Sequence, residues 1–272
     1  MAEEWFKSCL PKEYYEQFLR EGVYPDGRSI SAFNPLFFKL GAWGGVGSAL
    51  IKQGGVAVSC TVQASLGLCH DGPLITSEVD ACASVSQAEI NDVTDMLNQL
   101  FSNEAVAPRS ALLAKGVDTE MSMTWELILQ VQILNADGPI SDAVVCAASA
   151  ALYDVRLPAV RVTHALEDES PIQREEISIL EVKSPLVLGA TPVAVTFHVF
   201  QGAKQEMLLV DAPQDVVEYC SSKASMVTDG KNVLMMRTRG PLSNEHLLSS
   251  MMTLAERRHR SIMDTLRQGN AP

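Results

Sequence analysis

The stretch from residue 122 to residue 158 constrains this chain more than any other. Residues 122–134 alternate Trp125, Leu127, Leu129, Val131 and Ile133 with Glu126, Gln130 and Gln132. That period-two pattern is the mark of a half-buried strand. An acidic turn, Asp137-Gly138, comes next, and then AVVCAASAAL over 143–152, with Pro158 beyond its end. A helix of such small residues can pack closely against a sheet. A strand that bends sharply into a helix has two uses. The helix N-terminus can cradle an anion, with Asp137 as acid or metal ligand, or the turn can be plain architecture.

The rest of the chain supplies elements on both sides. PKEYYEQFLRE over 11–21 reads as a short helix. Pro11 suits the first helical position, and Tyr14/Phe18 and Tyr15/Leu19 form i,i+4 pairs before Gly22 stops it. YPDGRS is a turn. PLFFKL, SALIKQ and VAVSCTVQASL, between residues 35 and 66, are separated by glycines and spaced as a meander of antiparallel strands. Residues 67–83 read as irregular. Ser86 and Glu89 form a capping box ahead of a helix whose inner face carries Val85, Val93, Met96, Leu97 and Leu100. In the second half EEISILEV, PVAVTFHVF and EMLLVD read as strands. KASMVTDGKNVLMMRT reads as a hairpin closing on Asp229-Gly230. Ser243 is placed to cap a last helix that buries Leu247, Met251, Leu254, Ile262 and Leu266 and ends at Gly269. Strands followed by a helix, twice over, predict an α+β domain of two similar lobes.

Composition narrows the function. The 272 residues are 47% hydrophobic and 20% charged, enough for one large domain or two small ones. MAEEWFKSCLPKEYY does not lead into a long apolar run, so no signal peptide is expected, and no stretch approaches the ~20 apolar residues of a membrane span. The six cysteines are scattered without a C-x-x-C pair. They read as reduced thiols of a cytosolic or nuclear protein. The net charge of −12 repels nucleic acid overall, so any grip on it is local or borrowed from partners.

The candidate chemistry is sparse. The five histidines, His70, His164, His198, His246 and His259, show no metal-ligand spacing. GAWGGVGS has neither a dinucleotide-binding nor a P-loop pattern and reads as a hairpin. RRHR at 257–260 lies late in the last helix, where positive charge suits the helix dipole and also suits a partner or RNA. Asp211 and Asp215 follow a strand. A carboxylate pair there can bind a metal or act as acid and base, or can be a solvated strand–loop junction.

Four stretches, in order along the chain, resemble the RNase PH family: PKEYYEQFLREGVYPDGRSISAFNP, GSALIKQGGVAVSCTVQA, ILNADGPISDAVVCAASAALYDVRLPAV and TPVAVTFHVF. They are similar to the family's entry helix and P-D-G-R turn, its G-S-A-L strand pair, its D-G-x-x-x-A helix with the following L-P strand, and its P-V-A strand. Asn34 stands where the family usually has Arg, and 67–120 resembles nothing closely.

The resemblance implies the ribosomal protein S5 domain 2-like fold in two lobes. We divide the chain into an N-terminal helix and lead-in, 1–24, a first lobe, 25–160, and a second lobe, 161–272, with the C-terminal helix. It also implies a ring of six such subunits in the eukaryotic RNA exosome, with S1/KH cap proteins and RNA in the channel. No membrane or DNA partner is implied, and the expected location is nucleus, nucleolus and cytoplasm.

Active family members let phosphate attack the 3′-terminal linkage of RNA, so arginines or helix N-termini must gather anions. Here Pro139 and Ile140 follow the Asp137-Gly138 turn, and no arginine comes before Arg156. From Gln53 to Ala114 a single basic residue, Arg109, stands among seven acids. VDAPQDVVEYCSSKASMV keeps Asp211 and Asp215 but loses the further acidic pair of active members. We therefore expect a non-catalytic ring subunit with no catalytic residues, metal or cofactor, and with Arg109 as its RNA contact. Two rivals stand: a phosphorolytic 3′-exoribonuclease completed by a partner's arginines, and an unrelated small-molecule enzyme.

Overall fold

The computed structural model describes residues 2–114, 123–165, 174–203, 205–242 and 245–269. The chain enters through α1 (Ala2–Cys9) and α2 (Pro11–Arg20), the second starting on Pro11 as expected. Gly22 leaves α2 at φ +76°, a backbone region open to glycine.

Strands β1 (Leu36–Leu40), β2 (Gly47–Gln53) and β3 (Gly55–Leu68) form the antiparallel meander predicted from their glycine spacing. The segment read as irregular departs from expectation: Ile75–Ala81 is a strand, β4. Its sequence, ITSEVDA, is polar at alternate positions because it lies at the sheet edge and buries one face only. Helix α3 (Gln87–Phe101) carries the capping box, with the Glu89 amide donating to the Ser86 hydroxyl and the Ser86 amide to the Glu89 carboxylate. Strand β5 (Met123–Asp137) lies between β3, antiparallel to it, and β4, parallel to it. The first sheet therefore runs β1-β2-β3-β5-β4.

After the Asp137-Gly138 bend comes α4 (Ile140–Asp154). Strands β6 (Arg156–Ala165) and β7 (Arg174–Pro185) make a two-stranded ribbon. Next come β8 (Val193–Gln201), β9 (Glu206–Val210), the single turn α5 (Gln214–Val217), β10 (Ser222–Thr228) and β11 (Val233–Arg239). They build the antiparallel sheet β11-β10-β8-β9, with the expected Asp229-Gly230 hairpin. Helix α6 (Glu245–Gly269) closes the chain and buries Met251, Ile262 and Leu266. Ser243, the cap expected for α6, lies outside the described residues.

Helix α4 packs on β2, β3 and β5 of one sheet and on β8 of the other. Every residue from Asp142 to Leu152 is buried, which is why the segment is built of Ala, Val, Ser and Cys. Only small side chains let a helix lie this close to two sheets. One continuous core joins both sheets through α4. A second cluster seats Tyr14, Tyr15, Leu19 and Tyr24 on Phe200, Met207, Leu209 and Val216. The entry helices thus pack on the second sheet, although they precede the first in sequence.

A candidate anion-binding cleft at the Asp137-Gly138 turn

The bend rests on two glycines. Gly138 sits at φ +140°, and Gly55 lies opposite Asp137, where a Cβ would come within 2.6 Å of the Asp137 carbonyl oxygen. Pro139 is the N-cap of α4 and no side chain caps the helix, so its first-turn amides are not occupied by a capping group. The turn faces a cleft of about 490 Å³ lined by Gly138 to Ser141, by Glu89 and Asp92 of α3, and by His198, Lys223, Ser225, Arg237 and Arg239.

The basic residues come from the β10–β11 hairpin. Its register sets Lys223 opposite Arg239 and Ser225 opposite Arg237. Like charges directly opposite one another on a sheet are destabilising, so this pair is suited to an anion between them. Arg237 donates to the Asp92 carboxylate at 2.8 Å and to the Asp92 carbonyl at 3.0 Å. Lys223 and Arg239 have no ion pair or hydrogen bond among the described residues. With the positive end of the α4 dipole they make the cleft locally cationic in an acidic protein.

Beneath the cleft is a buried polar network. The Thr196 amide and hydroxyl donate to the Asp142 carboxyl at 2.7 and 2.6 Å, and Ser225 Oγ lies 2.9 Å from the same hydroxyl. Burial, with the charge of Asp211 adding to it, pushes the Asp142 carboxyl up to about 7. His198 is 5% exposed, and burial, helped by Lys223, pushes its imidazole down to about 4. It is therefore neutral at pH 7, and its Nδ1 is buried without a partner among the described residues.

The two acids singled out in the sequence do not converge. Asp211 is 3% exposed, which corrects the reading of a solvated strand–loop junction. Its carboxylate accepts from the Gln53 amide and from the Asn34 backbone, and its carbonyl accepts from Arg28. Asp215 is on α5, where Lys7 and the Tyr15 hydroxyl both donate to it at 3.3 Å. Arg109 sits on a 3-10 turn, Arg109–Ala111, and its guanidinium donates to the carbonyls of Gly72 and His70. A lone arginine here has a structural use that composition did not reveal. Of the RRHR run, Arg257 donates to the Ser31 carbonyl, Arg258 lies over the Phe33 ring, and a His259 ring nitrogen is 3.0 Å from the Thr191 carbonyl oxygen.

The family model of the 3′ exoribonuclease family, domain 1, matches residues 32–158. That stretch, just under half of the chain, carries the likeness to the family. The RNase PH-like chain is 25% identical over 238 residues to the exosome complex component Rrp42 of Pyrococcus furiosus, covering 84% of this chain and 82% of that one. It is 26% identical over 235 residues to the exosome complex component rrp45 of Schizosaccharomyces pombe, covering 81% and 75%. Its fold matches a chain of an archaeal exosome core with a TM-score of 0.70 at 21% identity, over 98% of this chain and 100% of the other. The RNase PH fold expected from the sequence is therefore present.

Sequence reasoning missed the cleft's cations. After the Asp137-Gly138 turn the sequence offers no arginine before Arg156, whereas Lys223, Arg237 and Arg239 arrive from the other sheet. A signal was there: the predicted hairpin on Asp229-Gly230 carries Lys223-x-Ser225 and Arg237-x-Arg239 on strands where alternate residues share a face.

Proposed function

We propose that this chain is a non-catalytic ring subunit of the RNA exosome. It holds neighbouring RNase PH-like subunits, meets S1/KH cap proteins and lines part of the RNA path, in nucleus, nucleolus and cytoplasm. The observation that carries the reading is the divergence of Asp211 and Asp215. Phosphorolysis must protonate or otherwise stabilise the departing 3′ oxygen. Asp211 is tied to Gln53 and Asn34 and Asp215 to Lys7 and Tyr15, while the two carboxylates that line the cleft are already engaged, Glu89 in the cap of α3 and Asp92 with Arg237. His198 is neutral and buried, and Asp142 lies under Thr196. The cleft can hold an RNA phosphate without the means to cleave beside it. The TPVAVTFHVF strand, 191–200, argues for the ring position of the ribosomal RNA-processing protein 43 type.

A second reading has its own support. Lys223, Arg237 and Arg239 give the cleft the anion-binding charge a phosphorolytic site requires, so a composite exoribonuclease with a partner subunit is the alternative. The deciding experiment incubates the chain, alone and co-expressed with RNase PH-like partners, with 3′-ended RNA, phosphate and Mg²⁺. The expected result is no shortening. Phosphate-dependent release of nucleoside diphosphates, lost on Lys223→Ala, selects the alternative. Size exclusion with light scattering tests assembly: the isolated chain is expected to aggregate and the co-expressed chain to form a soluble 1:1 heterodimer. A well-behaved monomer indifferent to every such partner removes the ring reading.

A further inference from the structure

A second recess lies against α6. It is a groove of about 410 Å³ between the lead-in to β1 and the last turns of α6, and Phe33, Pro35, Leu36, Arg257, Arg258 and Ile262 shape it. Among the described residues no carboxylate lines it. Arg258 is 7% exposed, its guanidinium carbon is 4.8 Å from the Phe33 ring centroid, and its Nη2 is buried without a hydrogen-bond partner. It has no hydrogen bond or ion pair at all among the described residues. A guanidinium cannot shed its charge, and a buried charge without a counter-ion is costly. The fork already stacked on Phe33 is held ready for a planar anion.

The surroundings decide what brings that anion. The groove opens beside β1, the end strand of the five-stranded sheet, which among the described residues pairs only with β2. Its outer edge offers backbone donors and acceptors to another polypeptide, and Phe37 on the same strand is 64% exposed. The one largely buried cation, walled by Phe33, Pro35, Leu36 and Ile262, fits a single inserted group rather than a polyanion, which needs a track of cations. The net charge of −12 further disfavours RNA away from the cationic cleft.

We propose that this groove receives an aspartate or glutamate side chain of a neighbouring ring subunit whose chain runs along β1. Its carboxylate is taken by Arg258, with Arg257 at the mouth. The site rests on the ring-subunit reading for its partner and is independent of whether the Asp137-Gly138 cleft is active.

The test reconstitutes the full chain with RNase PH-like exosome ring subunits of the same organism and compares Arg258→Leu and Arg258→Lys with the unaltered chain. The isolated Arg258→Leu chain is expected to melt no lower than the parent, because an apolar residue replaces an unpaired buried charge. Its dissociation constant for the ring partner is expected to rise at least tenfold, with part of the loss recovered in Arg258→Lys. A lower melting temperature for the isolated Arg258→Leu chain assigns the guanidinium to supporting Phe33 and overturns the proposal. Unchanged assembly does the same, as does intact assembly with loss of crosslinking to labelled oligo(U) RNA. If the unaltered chain binds none of the subunits, the ring reading fails and this site with it. Assembly that is normal for both chains removes this site alone.

Discussion

Both oxygens of the Asp211 carboxylate accept from one side-chain amide, with Gln53 Nε2 3.1 Å from one oxygen and 3.2 Å from the other. Gln53 ends β2 in the first sheet and Asp211 follows β9 in the second, so this contact ties the two sheets together 158 positions apart. Asp211 holds a positive φ of 48°, a region that Asp and Asn enter more readily than other non-glycine residues.

Asp211→Ala is expected to destabilise the chain by ~2–4 kcal/mol. It strands the buried Gln53 amide and the Asn34 amide and puts alanine in a left-handed backbone. Asp211→Asn keeps the backbone preference and one acceptor, and should lose about half as much. Urea unfolding of the two variants checks the order. Equal losses would mean that the carboxylate charge, rather than the backbone, dominates.

Asp142 makes stability depend on pH in the direction opposite to an ordinary paired carboxylate. Its folded value of about 7 lies above the unfolded one, so the folded chain binds the extra proton. Its contribution is full below about pH 4 and is lost as pH rises through 7. Asp142→Asn can still accept from the Thr196 amide and donate to its hydroxyl. It is expected to match the parent below about pH 4 and to melt several degrees higher at pH 8. A difference that does not change between those two pH values contradicts the assignment.

Lys223→Ala and Arg239→Ala should each weaken binding of short single-stranded RNA to the assembled ring by several-fold. Each should also reduce the slope of log K against log salt by about 0.7, the single-strand value for one phosphate contact. Arg237→Ala should do less to RNA, because its guanidinium already serves Asp92. Filter binding at four salt concentrations separates the three. Equal effects would show that the Asp92 pair opens when RNA arrives.

Arg109 joins the turn at 109–111 to the loop at 70–72. Arg109→Ala should raise amide exchange in that loop at least tenfold and reduce RNA crosslinking to this subunit in the reconstituted ring. Faster exchange with crosslinking unchanged would make the residue structural only.

The fold was legible wherever local pattern and local structure agree. The Ser86/Glu89 box, the glycine-punctuated meander and the Asp229-Gly230 hairpin each depend on residues within a few positions of one another. Strand β4 was not legible, since an edge strand buries a single face and Ile75, Ser77 and Val79 make a faint stripe. The cleft was half legible. Gly138 announced the bend, but its cations stand some 85 to 100 positions away on the other sheet, and only the hairpin register brings Lys223 and Arg239 to it. The burial of Asp211 was hidden for the same reason: Gln53 and Asn34 give no sign of their partner.

Helix α4 has a consequence for the order of events during synthesis. The first sheet leaves the ribosome with β5 complete but with the apolar face that α4 covers still open. Helix α4 then emerges with a second face that stays bare until β8 is made. Neither sheet can bury its apolar side from its own residues. The chain is therefore expected to reach its native state late and in one step, with an exposed interval of several seconds at ~5–20 residues per second. Halves cut on either side of α4 would be clients of chaperones rather than domains.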